Sequence, residues 1–427
     1  MNTTIISPKE KFLEAFSSSD VNGGVGIDAM ESIKNLDFPT TRNENWKYTR
    51  VAPIIKHDYK IYKNTKANLD IESYKIPGLK ANVLVFVNGY FAPEKSIVFS
   101  NEKNLIITNI AQARKDYFSI LESYFAKLAD HRNEIFTAIN TAYSEDGTFI
   151  YVPDNTIVEL PIHLVYLTEG DSVISQPRNI IVSGKSSSAK VIITHESIGD
   201  GKSFTNSVTE IWVKENAHLS IDKVQYESDN SSHISTEQVY QQSNSNFTIN
   251  TVTLNGGLVR NNLNIELDAP NCESNLYGLY LLKGNQHVDN HTLVDHKKPH
   301  CNSNELYKGI MDDKSTGVFN GKVFVRPDAQ KTNAFQSNSN ILLSDDATIN
   351  SKPELEIYAD DVKCSHGSTT GQMDKEAIFY LRARGLGEDS ARNMLMYAFA
   401  SDVIDNIKVD PLKEKINTFL EKKFSAF

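Results

Sequence analysis

The beginning of the chain combines polar capping residues with short apolar stripes, a pattern that predicts helices. A first helix is expected to begin at Ser7–Glu10, which has the form of a capping box with proline at the first helical position. Phe12, Leu13 and Phe16 then lie on one face of that helix. A second short helix is predicted over Asp28–Leu36, where the following Phe-Pro pair ends it.

A strand and a longer helical segment follow. Val83–Phe91 is an apolar run that contains an Asn88-Gly89 turn, which predicts a strand with a tight turn. From about Ile110 to Ala142 apolar residues recur at helical spacing, and we predict helix there. The residues that carry this spacing are Phe118, Leu121, Phe125 and Leu128.

Between about Thr148 and Tyr358 the pattern changes to short apolar runs separated by polar turns. The runs are rich in Val, Ile, Thr, Tyr and Phe, which favours strands. The clearest are Thr156–Leu160, Ile162–Tyr166, Asn179–Val182, Val191–Thr194, Leu219–Tyr226, Phe247–Leu254, Leu263–Leu267 and Val323–Val325. No helical pattern interrupts them, so a sandwich, a propeller or a β-solenoid is expected.

Polar corners favour the parallel β-solenoid among these three architectures. Gln242–Asn246 and Gln336–Asn340 are runs of Gln, Ser and Asn that suit stacked turns. Tyr277-Gly278 and Tyr307–Gly309 form a faint repeat, about one long coil apart. The predicted fold class is therefore mainly β, a parallel β-helix flanked by helical regions at both ends.

The end of the chain returns to a helical pattern. Helices are predicted over Asp374–Arg384, Glu388–Ile404 and Asp410–Phe424. The second of these has two apolar stripes, and such a helix needs two surfaces to pack against. One stripe is Ala391, Met394, Leu395 and Ala398, and the other is Met396, Phe399, Ala400 and Val403. A partner protein or another part of the same domain could cover the second stripe.

Composition narrows the classes of partner and the location. The net charge of the 427-residue chain is −10, and no basic run interleaved with aromatics stands out, which argues against nucleic acid. The longest apolar runs are far shorter than the roughly 20 residues of a membrane span. The first residues show no export signal, and the three cysteines, Cys272, Cys301 and Cys364, form no CxxC pair. A cytoplasmic location is therefore expected.

Two fragments imitate a phosphate-binding loop. They are Gly184-Lys185-Ser186 and Gly201-Lys202-Ser203. A true loop of this kind needs another glycine five residues before the second one, and Asn179 and Glu196 stand there instead. Both fragments also lie between predicted strands rather than before a helix. We interpret them as turns, so a nucleotide site would have to come from a partner.

The densest cluster of potential metal ligands lies in the predicted strands. It consists of His287, His291, His296, His300 and Cys301, with Asp289 and Asp295 nearby. On strands, His287 and His291 share a face, and so do His296 and His300. A zinc or iron site and a polar ladder on a solenoid surface are both compatible with this spacing.

A second candidate is Cys364 with His366. After the predicted strand Leu355–Tyr358, continued extension places both side chains on one face. Thiolate and imidazole suit iron, but two ligands cannot fill the roughly four protein positions of an iron–sulfur cluster. Either the pair is an ordinary buried cysteine with a hydrogen-bonded histidine, or the other ligands belong to a second chain.

A carbohydrate-active enzyme is the competing prediction for a β-solenoid. Such enzymes place carboxylates and basic side chains along one sheet, and Asp268, Glu305 and Arg326 are candidates here. A serine hydrolase has no support, because the chain has no GxSxG motif.

Several longer stretches resemble the SufB/SufD family of iron–sulfur cluster assembly proteins. Near the C-terminus these are Lys352–Gly367, Thr370–Asp374, Phe379–Gly385 and Met394–Ala400. Arg42–Thr49 is similar to the N-terminal motif of the family, and Glu305–Ile310 to its central motif. The resemblance spans nearly the whole chain. The paralogue SufB is less similar than SufD in three respects: the length of the chain, the helical N-terminal region and the sequence of Tyr397–Ala400.

This resemblance implies an architecture and a set of partners. It implies a mostly helical region 1–145, a right-handed parallel β-helix over 146–366, and a C-terminal helical region 367–427 that docks the ATPase SufC. It further implies a non-enzymatic scaffold that forms a heterodimer with SufB through the β-helices. A homodimer is left open for the isolated chain.

The resemblance also implies site residues. A transient iron–sulfur cluster would be shared with SufB, and none would be bound stably by this chain alone. His366 and its neighbour Cys364 would bind the nascent cluster together with the partner chain, and His366 would be the metal ligand. The residues expected to contact the ATPase are Met394, Leu395, Met396, Tyr397 and Phe399. The cluster type, the sulfur donor and flavin binding stay open.

Overall fold

Residues 7–63 and 70–427, which the computed structural model describes, begin with short helices. These are α1 (Pro8–Leu13), α2 (Gly23–Asn35), α3 (Ala52–Ile55), α4 (Ile110–Asp116), α5 (Phe118–Glu122) and α6 (Ile135–Tyr143). The predicted capping box is confirmed. The Glu10 backbone N–H donates to the Ser7 hydroxyl at 3.2 Å, and the Glu10 carboxylate accepts the Ser7 N–H at 2.8 Å.

The segment from Ile110 to Ala142 is not continuously helical, which corrects the prediction. The helix breaks at Tyr117, and no helix covers 123–134. Ala126, in the middle of this segment, has a φ of +54°, outside the helical region. The buried carboxylate of Glu210 accepts backbone N–H groups from this segment, including that of Ala126 at 2.7 Å. A tertiary contact therefore overrides the local helical periodicity.

Strands form most of the remaining chain. They are β1 (Asn82–Val87), β2 (Tyr90–Phe91), β3 (Ile106–Asn109), β4 (Thr148–Val152), β5 (Ile162–Glu169), β6 (Val173–Ser175), β7 (Arg178–Ser183), β8 (Ser188–Ile198), β9 (Ser203–Val213), β10 (His218–Tyr226), β11 (Ser231–Gln241), β12 (Asn246–Asn255), β13 (Leu258–Leu267), β14 (Glu273–Leu282), β15 (His287–His296), β16 (Asn302–Met311), β17 (Thr316–Val325), β18 (Asn333–Leu342), β19 (Thr348–Ile357) and β20 (Lys363–Gln372). The predicted strand Thr156–Leu160 is wrong, since only Ile157 makes an isolated bridge there.

The chain winds into a parallel β-solenoid of about eight turns, as predicted. From β7 onward, successive strands alternate between two sheets. The first sheet has the order β2-β1-β5-β8-β10-β12-β14-β16-β18-β20, and the second has the order β19-β17-β15-β13-β11-β9-β7-β4-β3. The strands of the first sheet run along the chain from β1 to β20, and those of the second sheet from β3 to β19.

One corner of the solenoid repeats the same turn. Its residues Ser186, Asn216, Asn244, Asn271, His300 and Lys331 all have φ near +60°. A hydroxyl or thiol often follows and donates to the carbonyl oxygen three residues back, as Ser245 does to Gln242 at 2.6 Å and Cys272 to Ala269 at 3.1 Å. Asn271 also donates to Asn244 in the preceding coil at 3.1 Å. The prediction of stacked polar corners is confirmed at Gln242–Asn246.

The faint tyrosine–glycine repeat has a packing reason. Gly278 pairs in register with Tyr307, and Tyr280 pairs with Gly309. A Cβ atom on Gly278 would lie 2.2 Å from the Tyr307 ring, and one on Gly309 would lie 2.3 Å from the Tyr280 ring. Each large ring in the interior therefore needs a glycine beside it in the neighbouring coil.

Helices cover the outer faces of both sheets. The C-terminal helices α7 (Lys375–Ala383), α8 (Glu388–Ile404) and α9 (Asp410–Phe424) agree closely with the prediction. The buried sides of α8 and α9 pack on outward residues of the first sheet such as Val252, Leu279 and Ile310. The N-terminal helices pack on the second sheet through residues that include Phe12, Phe136 and Phe204. No helix within the described residues is long and apolar enough to span a membrane.

The final coil has no cover within the described chain. Most residues of β19 are only partly buried, and most residues of β20 are exposed. In every earlier coil the next coil buries the corresponding interior positions. The interior of the solenoid therefore opens to solvent at this end, and the candidate residues of the last strand lie there.

Candidate functional site at the end of the solenoid

Cys364 and His366 project from β20 on the interior side of the solenoid. β20 pairs with β18 in parallel register, with Cys364 opposite Ala334 and His366 opposite Gln336. Paired residues of neighbouring strands point to the same side of a sheet, and Ala334 and Gln336 are buried in the interior. The predicted shared face of the two side chains follows from this register.

The two side chains differ in their surroundings. Cys364 is half-buried and packs at the edge of a small apolar cluster that contains Val325 and Ala334. This burial raises the pKa of the Cys364 thiol, so the protonated form is favoured in the isolated chain. His366 is exposed, because no coil follows to cover it. Its imidazole is the more available of the two to a ligand or a partner.

A buried polar chain lies directly behind His366. Gln336 donates from Nε2 to Glu305 at 2.7 Å, and the Thr292 hydroxyl donates to the other oxygen of Glu305 at 2.5 Å. Burial raises the pKa of Glu305 to about 7. Gln336–Asn340, predicted to be a corner, is part of β18 instead, and Gln336, Asn338 and Asn340 point inward.

Helix α8 presents its two stripes to different surroundings. Met396 is 1% exposed and packs in the core between the helix and the first sheet. Met396, which was predicted to contact the ATPase, is thus covered by the chain itself. Met394 and Tyr397 are 50% and 39% exposed, and Leu395 is half-buried.

The central motif Glu305–Ile310 fixes this helix to the solenoid. Glu305 points inward, whereas Lys308 points outward from the same strand. The Lys308 ammonium donates to the Phe399 carbonyl at 3.1 Å, lies 4.3 Å from the centre of the Phe399 ring and pairs with Asp402. Phe399 thus has a role within this chain as the partner of Lys308.

The outward histidines of β15 belong to contacts with the N-terminal region. His287 lies 2.8 Å from the Thr49 hydroxyl, and His291 lies 3.0 Å from the Asp289 carboxylate. Asp289 also accepts from Arg260 at 2.6 Å. Burial is the largest influence on both histidines and lowers their pKa values, so their neutral forms are favoured.

The remaining members of the histidine cluster have structural roles. His296 is fully buried in the interior and lies 2.9 Å from the Ser303 hydroxyl. His300 is a left-handed corner residue with a φ of +64°, so it does not share a strand face with His296 as predicted. Cys301 donates to the carbonyl of Ala269 in the preceding coil at 3.3 Å. Across the described ranges, no three His, Cys, Asp or Glu side chains converge as metal ligands.

The N-terminal motif Arg42–Thr49 docks on this part of the solenoid. The Arg260 guanidinium lies 3.8 Å from the centre of the Trp46 ring, and Lys352 pairs with Glu44 at 2.6 Å. Together with Thr49, these contacts join the helical region to the second sheet. The family resemblance identified Arg42–Thr49 as a motif, and these contacts give a structural reason for its residues.

The residues of the other candidate chemistries lie in different parts of the structure. Gly184–Ser186 and Gly201–Ser203 lie in or next to turns between strands, as predicted. Of the carboxylates considered for a carbohydrate-active enzyme, Glu305 is 4% exposed and faces the interior. Arg326 is paired with Asp295 at 2.8 Å on the outside. Glu305 therefore does not share an accessible surface with Arg326.

Comparison with known proteins agrees with this architecture. The family described as "SUF system FeS cluster assembly, SufBD core domain" matches residues 166–399, and "SufBD protein N-terminal region" matches residues 5–164. The chain belongs to the SufBD family. A SufBD family protein of Synechocystis, named for iron–sulfur cluster assembly, is 34% identical over 91% of this chain and 88% of its own length.

Two SufBD relatives carry the name SufD. The iron–sulfur cluster assembly protein SufD of Escherichia coli is 29% identical over 91% of this chain and 89% of its own length. SufD of Bacillus subtilis is 24% identical over 98% of this chain and 99% of its own length. This SufBD protein therefore shares nearly its full length with SufD homologues.

Sequence reasoning missed the residues behind His366. The sequence places Glu305 in a family motif and among the candidate carboxylates of a carbohydrate-active enzyme, and it places Gln336 in a predicted turn, but it does not connect either residue with His366. The signal that could have identified Gln336 is the period-two alternation of Gln336, Asn338 and Asn340, which marks one face of a strand. Polar residues on an interior face are unusual enough to indicate a special role.

Proposed function

We propose that this SufBD protein is the SufD-type scaffold subunit of a cytoplasmic iron–sulfur cluster assembly complex and catalyses no reaction itself. It pairs with SufB through the uncovered end of the solenoid and carries the ATPase SufC on its C-terminal helices. Its cargo is a nascent iron–sulfur cluster, shared with SufB and held only transiently. His366 is a ligand of that cluster, and Cys364 lies beside it.

The observation that carries this proposal is the position of both side chains on the last strand of an open solenoid. An iron–sulfur cluster takes roughly four protein ligands, and this pair supplies two at most. The remaining ligands must therefore come from a second chain. A second chain can reach the end of a solenoid without displacing any of its coils.

The same end has the chemistry of a protein interface. β19 and β20 are edge strands within the described chain, and such strands favour pairing with a strand of another molecule. Phe335, Ile357 and Tyr358 are exposed beside them by 47%, 39% and 58%. Exposed apolar residues at an unprotected strand edge support a heterodimer with SufB. In the isolated chain, the same surface would support a homodimer.

The C-terminal helices offer a separate apolar surface for the ATPase. Phe379 and Tyr380 on α7 are 74% and 57% exposed, and Met394 and Tyr397 on α8 add further exposed area. Aromatic and methionine side chains are enriched at protein interfaces. An external ATPase would also supply the nucleotide site that neither turn with a Gly-Lys-Ser sequence can provide.

Replacing His366 by alanine should lower the rate of cluster formation in the reconstituted complex at least about tenfold. The fold and the complex should stay intact, because His366 is exposed and supports no packing. Cluster absorbance measured over time, together with size-exclusion chromatography of the complex, tests both statements.

Ser365→Ala is a matched control, since Ser365 is exposed on the same strand but points to the opposite side. An unchanged rate in His366→Ala would remove His366 from the site. Turnover of a polyuronide by the purified chain would overturn the scaffold function itself.

Replacing Met394 by aspartate should weaken binding of the ATPase about tenfold or more, because a charge would enter a desolvated apolar contact. Isothermal titration of the ATPase into the full chain measures this change. Ile27→Asp provides a control, because Ile27 is a 64% exposed apolar residue on α2. Equal affinities for wild type and Met394→Asp would exclude this side of α8 as the docking surface.

A further inference from the structure

The Gln336 side chain has an unused hydrogen-bond acceptor directly behind His366. Gln336 is 4% exposed, and its Oε1 atom is buried without a hydrogen-bond partner in the described structure. Buried polar atoms are nearly always paired, so an orphaned acceptor next to a candidate ligand needs an explanation. Such atoms are often completed when a site becomes occupied.

The orientation of the Gln336 amide is fixed from the other side. Both oxygens of Glu305 already accept hydrogen bonds, one from Thr292 at 2.5 Å and the other from Gln336 Nε2 at 2.7 Å. In its ionised form Glu305 only accepts hydrogen bonds, so the NH2 group of the Gln336 amide then faces Glu305, as it does in the structure. The carbonyl oxygen therefore points away from Glu305.

The opposite sheet leaves room for this amide. A Cβ atom on Gly321 would lie 2.3 Å from Gln336 Nε2 and 3.0 Å from its Cδ. The φ angle of Gly321 is not in the left-handed region, so backbone conformation gives no reason for glycine there. Space for the Gln336 side chain does give a reason.

His366 stacks on Gln336 in the following coil, on the same interior side of the sheet. It pairs in register with Gln336 on the adjacent strand, and neighbouring strands lie about 4.8 Å apart. An imidazole and an amide at that separation and on the same face can reach each other. Histidines that bind metals usually donate their second ring N–H to a carboxylate or carbonyl oxygen, which fixes the ring and its tautomer.

We propose that Gln336 is a positioning residue for His366, accepting one ring N–H at Oε1 so that the other ring nitrogen is directed at the incoming iron. The proposal rests on the proposed function of His366 as a cluster ligand. Glu305 accepts a hydrogen bond from the Gln336 amide and thereby fixes the orientation of that amide. No electron or covalent bond moves in this step, because the amide only accepts a hydrogen bond.

Gln336→Leu, which keeps the approximate volume, should lower the rate of cluster formation in the reconstituted complex about tenfold. In the reconstituted complex that contains this chain labelled with ¹⁵N-histidine, the His366 ring should change from one tautomer to a mixture when Gln336 is replaced. The His366 resonances are identified by their absence in His366→Ala. The tautomer is a readout that a merely structural role of Gln336 would not change.

Asn340→Leu is the matched control. Asn340 lies on the same strand and the same interior face, is 3% exposed and also accepts a hydrogen bond, from Tyr280. In the last coil, Asn340 pairs with Thr370 rather than with His366. The Asn340→Leu substitution should therefore lower the stability of the protein without altering the His366 tautomer.

A swap of the two polar groups should restore the site. In Glu305→Gln/Gln336→Glu, the amide at 305 donates to the carboxylate at 336, whose second oxygen still faces His366. We expect recovery of both the rate and the single tautomer. Gln336→Glu alone places two carboxylates together and should not recover them.

The outcomes separate the two proposals. No loss in His366→Ala contradicts the function proposed for His366. A loss in His366→Ala with an unchanged rate and tautomer in Gln336→Leu overturns the positioning role alone. Equal losses in Gln336→Leu and Asn340→Leu with an unchanged tautomer also overturn it. A lower rate with a mixed tautomer in Gln336→Leu, restored by the swap, supports it.

Discussion

Replacing Glu210 by alanine is expected to lower the free energy of unfolding by about 3–5 kcal/mol. Glu210 and Arg178 are both fully buried and lie 2.6 Å apart. Alanine would remove the carboxylate and leave the guanidinium charge without a counter-ion in the interior. Breaking a buried pair from one side is costly for this reason, even where the intact pair adds little stability.

The loss should extend to the N-terminal region. The Glu210 carboxylate accepts backbone N–H groups of Ala126 at 2.7 Å, Leu128 at 2.5 Å and Ala129 at 3.0 Å. Without it, these groups lose their partner, and the segment between α5 and α6 should open locally. Chemical denaturation measures the global change, and limited proteolysis followed by mass spectrometry should detect cleavage within 117–134.

Glu215→Ala is the control for this experiment. Glu215 pairs with Lys185 at 2.9 Å, but both side chains are about half exposed, at 44% and 53%. An exposed pair contributes about 0–1 kcal/mol, so its loss should be small. Equal destabilisation by both variants would show that burial of the Glu210 pair has no special effect.

The same carboxylate shows why one part of the fold was mispredicted. The spacing of Phe118, Leu121, Phe125 and Leu128 fits a helix, and no local residue signals a break. The non-helical path around Ala126 is held by Glu210, more than 80 residues away in the sequence. By contrast, α8 and α9 were predicted with their observed bounds, because their apolar stripes, and the proline in the first turn of α9, lie within the helices themselves.

The candidate site was also only partly predictable. Alternation along a strand placed Cys364 and His366 on one face, and resemblance to the SufB/SufD family gave them a role. Their location at an open end depends on where the solenoid stops, which no local pattern states. Gln336 was missed because Gln, Ser and Asn are typical of corners as well as of polar interior columns.

The two stripes of α8 looked equivalent in the sequence for a similar reason. Periodicity shows which residues share a face but not what covers that face. The first sheet and Lys308 select the stripe that contains Met396, and Met394 remains on the outside. A pair of substitutions at these two positions should therefore distinguish the core from the proposed docking surface.

Replacing Met396 by aspartate is expected to cost at least about 3–5 kcal/mol of stability, because it buries a carboxylate with no partner. Met396 is 1% exposed and packs with residues of α8, α9 and the first sheet, including Ala400, Ile416 and Leu279. Met396→Ala, which removes packing without adding charge, should cost about 2–5 kcal/mol.

Met394→Asp, two residues away and half exposed, should change stability by no more than about 0.5 kcal/mol. Denaturant titrations of the three variants measure these differences. If Met394→Asp were as destabilising as Met396→Asp, the outward stripe of α8 would belong to the core, and the docking surface would have to lie elsewhere.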